Sequence, residues 1–123
     1  MRRALLSLAL LMAGTSALPA CEYGAACTTE YRWGVNLTIR DARTQQPITT
    51  ATATLVDGAY RETITLQSFA TSYLGAGERE GTYTLTVTAP GYQPSTARTV
   101  TVTGDECHVR PVSVTVDLTP SVP

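Results

Sequence analysis

An all-β sandwich of about seven short strands, of Greek-key type, is the fold class this chain predicts, and three observations carry the prediction. The stretch Thr82–Ala89 alternates without a fault: Tyr83, Leu85, Val87 and Ala89 point one way, and Thr82, Thr84, Thr86 and Thr88 the other. That is the period of a half-buried strand. Similar runs recur about every ten residues, separated by Gly, Pro and Asp. No run of helical period follows the first twenty residues.

Taken in order, Tyr31, Trp33, Val35, Leu37 and Ile39 alternate with Arg32, Asn36, Thr38 and Arg40, a long first strand. Asp41–Pro47 is a polar turn. Ile48–Val56 sets Ala51, Ala53 and Leu55 against Thr50, Thr52 and Thr54, and the small alanines suit a close approach to a facing sheet. Asp57-Gly58 marks a tight hairpin, whose primed turns need positive φ. Tyr60–Leu66 returns as a strand, with Gln67–Leu74 a less regular one. Gly75–Gly81 reads as a flexible loop leading into Thr82–Ala89. Pro90-Gly91 then ends that strand, and Gln93-Pro94 keeps the chain out of regular pairing. Thr96–Thr103 and Val109–Leu118 supply the remaining strands, with Gly104-Asp105-Glu106 turning between them. The expected core is Trp33, Val35, Leu37, Ile39, Ala53, Leu55, Ile64, Leu66, Tyr83, Leu85, Val87, Val100, Val102, Val112, Val114 and Val116. Of the eight aromatics, six are expected inward, with Tyr23 and Tyr73 the least constrained.

The first twenty residues read as an export signal. Met1-Arg2-Arg3 is a basic start and Ala4–Ala13 an apolar run, well short of the roughly 20 residues a membrane-spanning helix needs. Leu18-Pro19-Ala20-Cys21 resembles the lipobox of bacterial lipoproteins, in which the cysteine becomes the lipidated first residue; ordinary cleavage after Ala17 is the alternative. Cysteine parity favours lipidation. With Cys21 carrying lipid, Cys27 and Cys107 remain as a disulfide pair in an oxidising compartment. The organisation expected is a signal peptide over 1–20, a tether over 21–30, the sandwich over 31–118 and a tail over 119–123. The protein is then anchored to a membrane through its lipid and faces the periplasm or the cell exterior. Glu22 after the cysteine directs it to an outer membrane where one exists.

Charge narrows the partners. The mature chain carries seven arginines, no lysine and ten carboxylates, a net charge of −3, with no basic cluster. Phosphate backbones need clustered positive charge, so nucleic acid is not an expected partner. The lack of lysine also rules out lysine-derived isopeptide cross-linking.

The strand Gly81, Tyr83, Leu85, Val87, followed by the turn Gly91-Tyr92, resembles the hallmark of the carboxypeptidase regulatory-like domain, a prealbumin-like (transthyretin-like) β-sandwich. Ile39, Asp41, Pro47 and Ala51 match the family's first hairpin. The likeness covers roughly Trp33 to Leu118. It implies an accessory fold that packs against enzymes or sits on cell surfaces, with no chemistry of its own.

Catalytic constellations are sparse. His108 is the single histidine, and Asp105 and Glu106 are its nearest carboxylates in sequence. A metal-dependent binder or hydrolase using these three is the alternative to a non-enzymatic module. Zinc sites need a fuller set of His and Cys ligands, and calcium shared by Asp57, Asp105 and Glu106 would lack the six to eight oxygens it takes. No cofactor or metal is expected. The function expected is a structural or binding module for an envelope protein or glycan, with Asp41–Pro47, Gly75–Gly81 and Gly104–Glu106 as candidate recognition loops.

Overall fold

The computed structural model describes residues 26–68 and 70–122. Among them lie seven strands and no helix: β1 (Trp33–Asp41), β2 (Thr52–Asp57), β3 (Tyr60–Thr65), β4 (Tyr73–Gly77), β5 (Gly81–Thr88), β6 (Arg98–Val102) and β7 (Val112–Leu118). They form two packed sheets, ordered β4-β1-β7 and β3-β2-β5-β6. The β2–β3 hairpin lies in one sheet, while β4 returns to lie beside β1 in the other. That is the 4-1-2-3 Greek-key order folded across two layers.

β5 sits between β2 and β6, and its apolar face is buried throughout: Tyr83, Leu85 and Val87 are essentially inaccessible. Its threonines, Thr82, Thr84 and Thr88, face solvent. β1 is the centre of the other sheet, antiparallel to β4 and parallel to β7. Val35, Leu37 and Ile39 from β1 meet Ala53, Leu55, Leu85 and Val87 in one continuous core. Burying each large apolar side chain contributes roughly 1.5–3 kcal/mol, opposed by the entropy of ordering the chain. The Asp57-Gly58 hairpin forms as expected. Asp57 pairs with Tyr60, and Gly58 takes the positive φ (58°) that the turn demands.

The structure departs from the sequence reading at several places. Trp33, expected in the core, is 37% exposed, and Tyr31 before it is 59% exposed. The reason is register. β7 first pairs with β1 at Val35, so Trp33 projects past the end of that neighbour and faces only Gly77 of β4. Secondly, Gly75–Gly77 belongs to strand β4 and is not loop. A Cβ at Gly75 would press on Leu55 and Ile64, so that glycine answers close packing against the core. Thirdly, Tyr73 is buried at 2% exposure, its hydroxyl donating to Ile48 O and accepting from Ala51 N. Ile48, Ala51, Ala76, Ala89, Val109 and Leu118 also join the core, whereas Leu66 and Val112 are half-buried at its margin.

β1 alone is nine residues long, roughly 30 Å at a strand's rise, so the sandwich has two well-separated ends. At the end where β1 starts lie Glu30–Trp33, the Asp57-Gly58 turn, Gly77–Gly81 and Gly104–His108. At the other lie Asp41–Pro47, Pro90–Tyr92 and the chain after β7. The second end is stitched together by Ala42 N–H to Leu118 O, Gln93 N–H to Thr119 O and Ser121 N–H to Gly91 O, each 2.8–2.9 Å. The Tyr92 hydroxyl finds its partner in a side chain and not in backbone, donating to the Asp41 carboxylate at 2.8 Å.

Candidate functional site

The chemistry-bearing side chains gather at the end where β1 begins. Gly104 and Val109 bridge to close a tight loop, inside which Asp105 accepts the Cys107 and His108 amides on one oxygen, at 2.8 and 2.9 Å. Those two amides, His108's first, hold the Asp105 carboxyl below its ordinary value. The loop presents Cys107 to the segment before β1, where the Cys27 and Cys107 sulfurs stand 2.03 Å apart, at disulfide distance, with Cα atoms 5.1 Å apart. This is the pair expected from cysteine parity. Cys21, the expected lipidation site, and the 1–20 segment lie outside the described residues.

His108 is 11% exposed, and both of its ring nitrogens are engaged. Nδ1 lies 2.8 Å from a Glu78 carboxylate oxygen, and Nε2 lies 3.0 Å from the Thr28 hydroxyl. A carboxylate only accepts, so in the neutral ring the proton sits on Nδ1 and Thr28 donates to Nε2. Glu78 adopts a left-handed backbone (φ 47°) beyond the end of β4, an uncommon conformation for a residue with a side chain. Its carboxylate also accepts the Arg32 amide at 2.6 Å and lies 3.4 Å from the Val109 amide. Partial burial works against its ionisation. The Arg32 amide, His108 and the Val109 amide outweigh that and hold its pKa below the usual value.

Glu78, Glu80, Asp105, Glu106 and His108 line one shallow hollow of about 200 Å³. The histidine and the carboxylates do converge there, but the carboxylate bonded to the His108 ring is Glu78, while Asp105 takes only the His108 backbone amide. Sequence spacing could not have found Glu78. It lies 30 residues from His108, in a glycine-flanked segment that reads as loop.

A hydroxyl, an imidazole and a carboxylate in line are the elements of a nucleophile–base–orienter chain. An acyl-transfer site also needs free amides aimed at a developing oxyanion. Here the Arg32, Cys107, His108 and Val109 amides all point to carboxylates. Among the described residues no group of three or more His, Cys, Asp and Glu side chains is placed to hold a metal ion. Asp57 is engaged by Arg79, whose guanidinium bonds its carboxylate at 3.1 Å and stacks 3.8 Å over the Tyr60 ring. The cluster therefore ties the N-terminal segment to β4 and to the loop before β7.

The larger concave surface lies elsewhere, in the seam where the outer edges of β6 and β7 face each other across the two sheets. A cleft of about 360 Å³ is lined there by Leu85, Ser95, Ala97, Arg98, Thr115 and Val116. A second hollow of about 160 Å³ shares Ser95, Thr96 and Asp117 with it and runs on to Gln93 and Thr119. Together they make one groove along the free edge of β7, with the hydroxyls of Ser95, Thr96, Thr115 and Thr119 set among apolar, amide and charged side chains. It opens at the end opposite the disulfide. Arg98 donates to Thr115 O at 3.1 Å, so the backbone of Thr115, and by alternation that of Ser113 and Asp117, faces outward from the sheet.

No protein-family model matches the chain, and no curated protein matches it.

Proposed function

We propose that this protein is a membrane-anchored, non-enzymatic lipoprotein of the cell envelope, whose sandwich binds an envelope protein or a glycan along the β7 edge groove. The observation that carries the reading is the groove itself. It joins unpaired strand backbone, four hydroxyl side chains and two charged groups in one concavity: Arg98, which donates to Thr115 O, and Asp117, whose carboxylate is bonded by Arg40. Extended peptides add to such edges through main-chain bonds, and hydroxyl-lined grooves suit glycan hydroxyls equally. The lipobox-like Leu18-Pro19-Ala20-Cys21 supports the anchor. The resemblance of Gly81, Tyr83, Leu85, Val87 and Gly91-Tyr92 to carboxypeptidase regulatory-like domains, which are accessory modules, favours binding over chemistry.

The test is site-selective photo-cross-linking in the intact envelope. A photoreactive side chain at Thr96 should capture a defined partner, and one at Arg61, on the exposed β3 edge, should not. Equal capture from both positions would remove the groove from the reading. Ester or peptide hydrolysis by the purified protein that disappears in His108→Ala would replace the binding module with an enzyme.

A further inference from the structure

We propose that the end of the sandwich carrying the disulfide rests against the membrane surface, with Tyr31 and Trp33 seated among lipid headgroups. The inference rests on the lipid anchor at Cys21 and goes beyond it by fixing which face of the domain meets the bilayer. Its first support is chain length. If the domain hung from a ten-residue tether, Tyr31 could lie about 35 Å from Cys21. The Cys27–Cys107 bond fastens the tether to the domain partway along. Only six residue steps remain between Cys21 and the point of attachment, a reach of about 20 Å at full extension. The attachment point belongs to the same end as Tyr31 and Trp33: Cys107 adjoins His108, the His108 ring bonds Glu78, and Glu78 donates its amide to Arg32 O while its carboxylate accepts the Arg32 amide. An acylated Cys21 thus holds this end, and not the groove end, close to the bilayer.

The second support is what this end exposes. Tyr31 and Trp33 are the exposed aromatics of the described residues, in edge-to-face contact with centroids 5.1 Å apart. Tyr31 lies over Gly77, where a Cβ would collide with its ring. Glycine at position 77 lets the aromatic pair sit on the end of the sheet. Tyrosine and tryptophan favour the membrane interface, since their rings partition from water while O–H and N–H keep polar partners. The carboxylates of Glu30, Asp57, Glu78, Glu80, Asp105 and Glu106 occupy the same end and outnumber its three arginines, Arg32 paired with Glu30, Arg79 with Asp57, and Arg110. They disfavour anionic headgroups, so the surface it fits is zwitterionic.

Trp33 is the only tryptophan and reports directly on this contact. The lipidated mature protein would be reconstituted into phosphatidylcholine vesicles with lipids brominated near the headgroup. Cys21→Ser in the same vesicles serves as the unanchored control. The expected result is co-sedimentation of the lipidated protein, a blue-shifted Trp33 emission and loss of most of its intensity to the bromines, with neither shift nor quenching in the control. Replacing both Cys27 and Cys107 by Ser should restore much of the intensity, because the longer tether lets the end leave the surface. If that variant fails to fold, aqueous iodide on the unmodified protein gives the same information: Trp33 should be shielded in vesicles and accessible in Cys21→Ser. Co-sedimentation with unshifted, unquenched emission overturns the orientation while leaving the anchor intact. Failure to sediment overturns the anchor, and the orientation with it.

Discussion

Removing the Cys27–Cys107 bridge is the most informative single perturbation of the fold. The bonded cysteines are 80 residues apart, so the closed loop spans β1 to β6 and nearly the whole core. For a loop of that size, loss of chain entropy in the unfolded state corresponds to about 4.5 kcal/mol. A domain of this size has a total stability of roughly 5–15 kcal/mol, so the bridge is a large share of it. Replacing both cysteines by serine should lower the melting temperature by roughly 20–35 °C, taking 4–8 °C per kcal/mol. Urea titration of the oxidised protein and the variant, monitored by Trp33 fluorescence, would measure the difference. A slightly larger denaturant slope is also expected, because the released unfolded chain exposes more surface. A loss below about 1 kcal/mol would refute the reasoning, given that loop-closure entropy at this length cannot be so small. Alkylation of both cysteines before reduction would refute it earlier, by showing thiols in place of the bond.

Three further outcomes follow from particular contacts. Tyr73→Phe removes the hydroxyl that joins Ile48 O and Ala51 N–H between β1 and β2. It should cost about 1–3 kcal/mol for buried polar groups left unpaired, read from chemical denaturation. Gly75→Ala forces a Cβ against Leu55 and Ile64 and should cost about 1–3 kcal/mol as overpacking; a neutral result would return Gly75–Gly77 to the status of a loose loop. Stability should fall in acid, because the folded-state pKa of Asp41 is depressed, first by the Tyr92 hydroxyl and then by the Thr44 and Arg43 amides, and those of Asp105 and Glu78 are depressed too. The contribution of depressed carboxyls is whole above their ordinary range, about pH 4, and is lost as pH drops through their folded values. Tyr92, raised by its bond to Asp41, and Tyr73, raised by burial, act oppositely. Their contribution is whole below about pH 10 and is lost as pH rises through their folded values. Thermal melts across pH should therefore show a plateau that falls at both ends.

What could be read from the sequence tracks where neighbours flank a strand on both sides. In β5 and in the middle of β1, period-2 alternation alone decides burial, and the expected core residues there are buried. At Trp33 the same alternation misleads, because burial also requires β7 alongside, and β7 begins opposite Val35. β4 was opaque for a different reason. Its Tyr-Leu-Gly-Ala-Gly sequence lacks alternation, and pairing with β1 together with the tight fit of Gly75 makes it a strand. The Cys27–Cys107 pair was legible from counting. The His108–Glu78–Arg32 knot was not, because it depends on a left-handed backbone at Glu78 that nothing in the local sequence announces.

The end opposite the disulfide is built for rigidity, and that bears on recognition. The Asp41 carboxylate accepts the Arg43 and Thr44 amides at 2.7 and 3.0 Å on one oxygen and the Tyr92 hydroxyl on the other. The Asp41 amide donates to Gln46 O, and Gln45, in a left-handed conformation, returns its own amide to Asp41 O. Asp41–Pro47 is thus fixed from inside before any partner arrives, and Tyr92 fastens it to the turn that follows β5. Ordering side chains and loops on binding costs about 0.5–1.5 kcal/mol per immobilised side chain, and a loop already held by its own bonds avoids most of it. The groove along β7 opens beside this fixed loop, while the disulfide and the aromatic pair occupy the far end of β1. Under the proposed anchoring near the disulfide, the groove end is the one left to meet a partner. At that end the Asp41–Pro47 loop is already held by its own bonds.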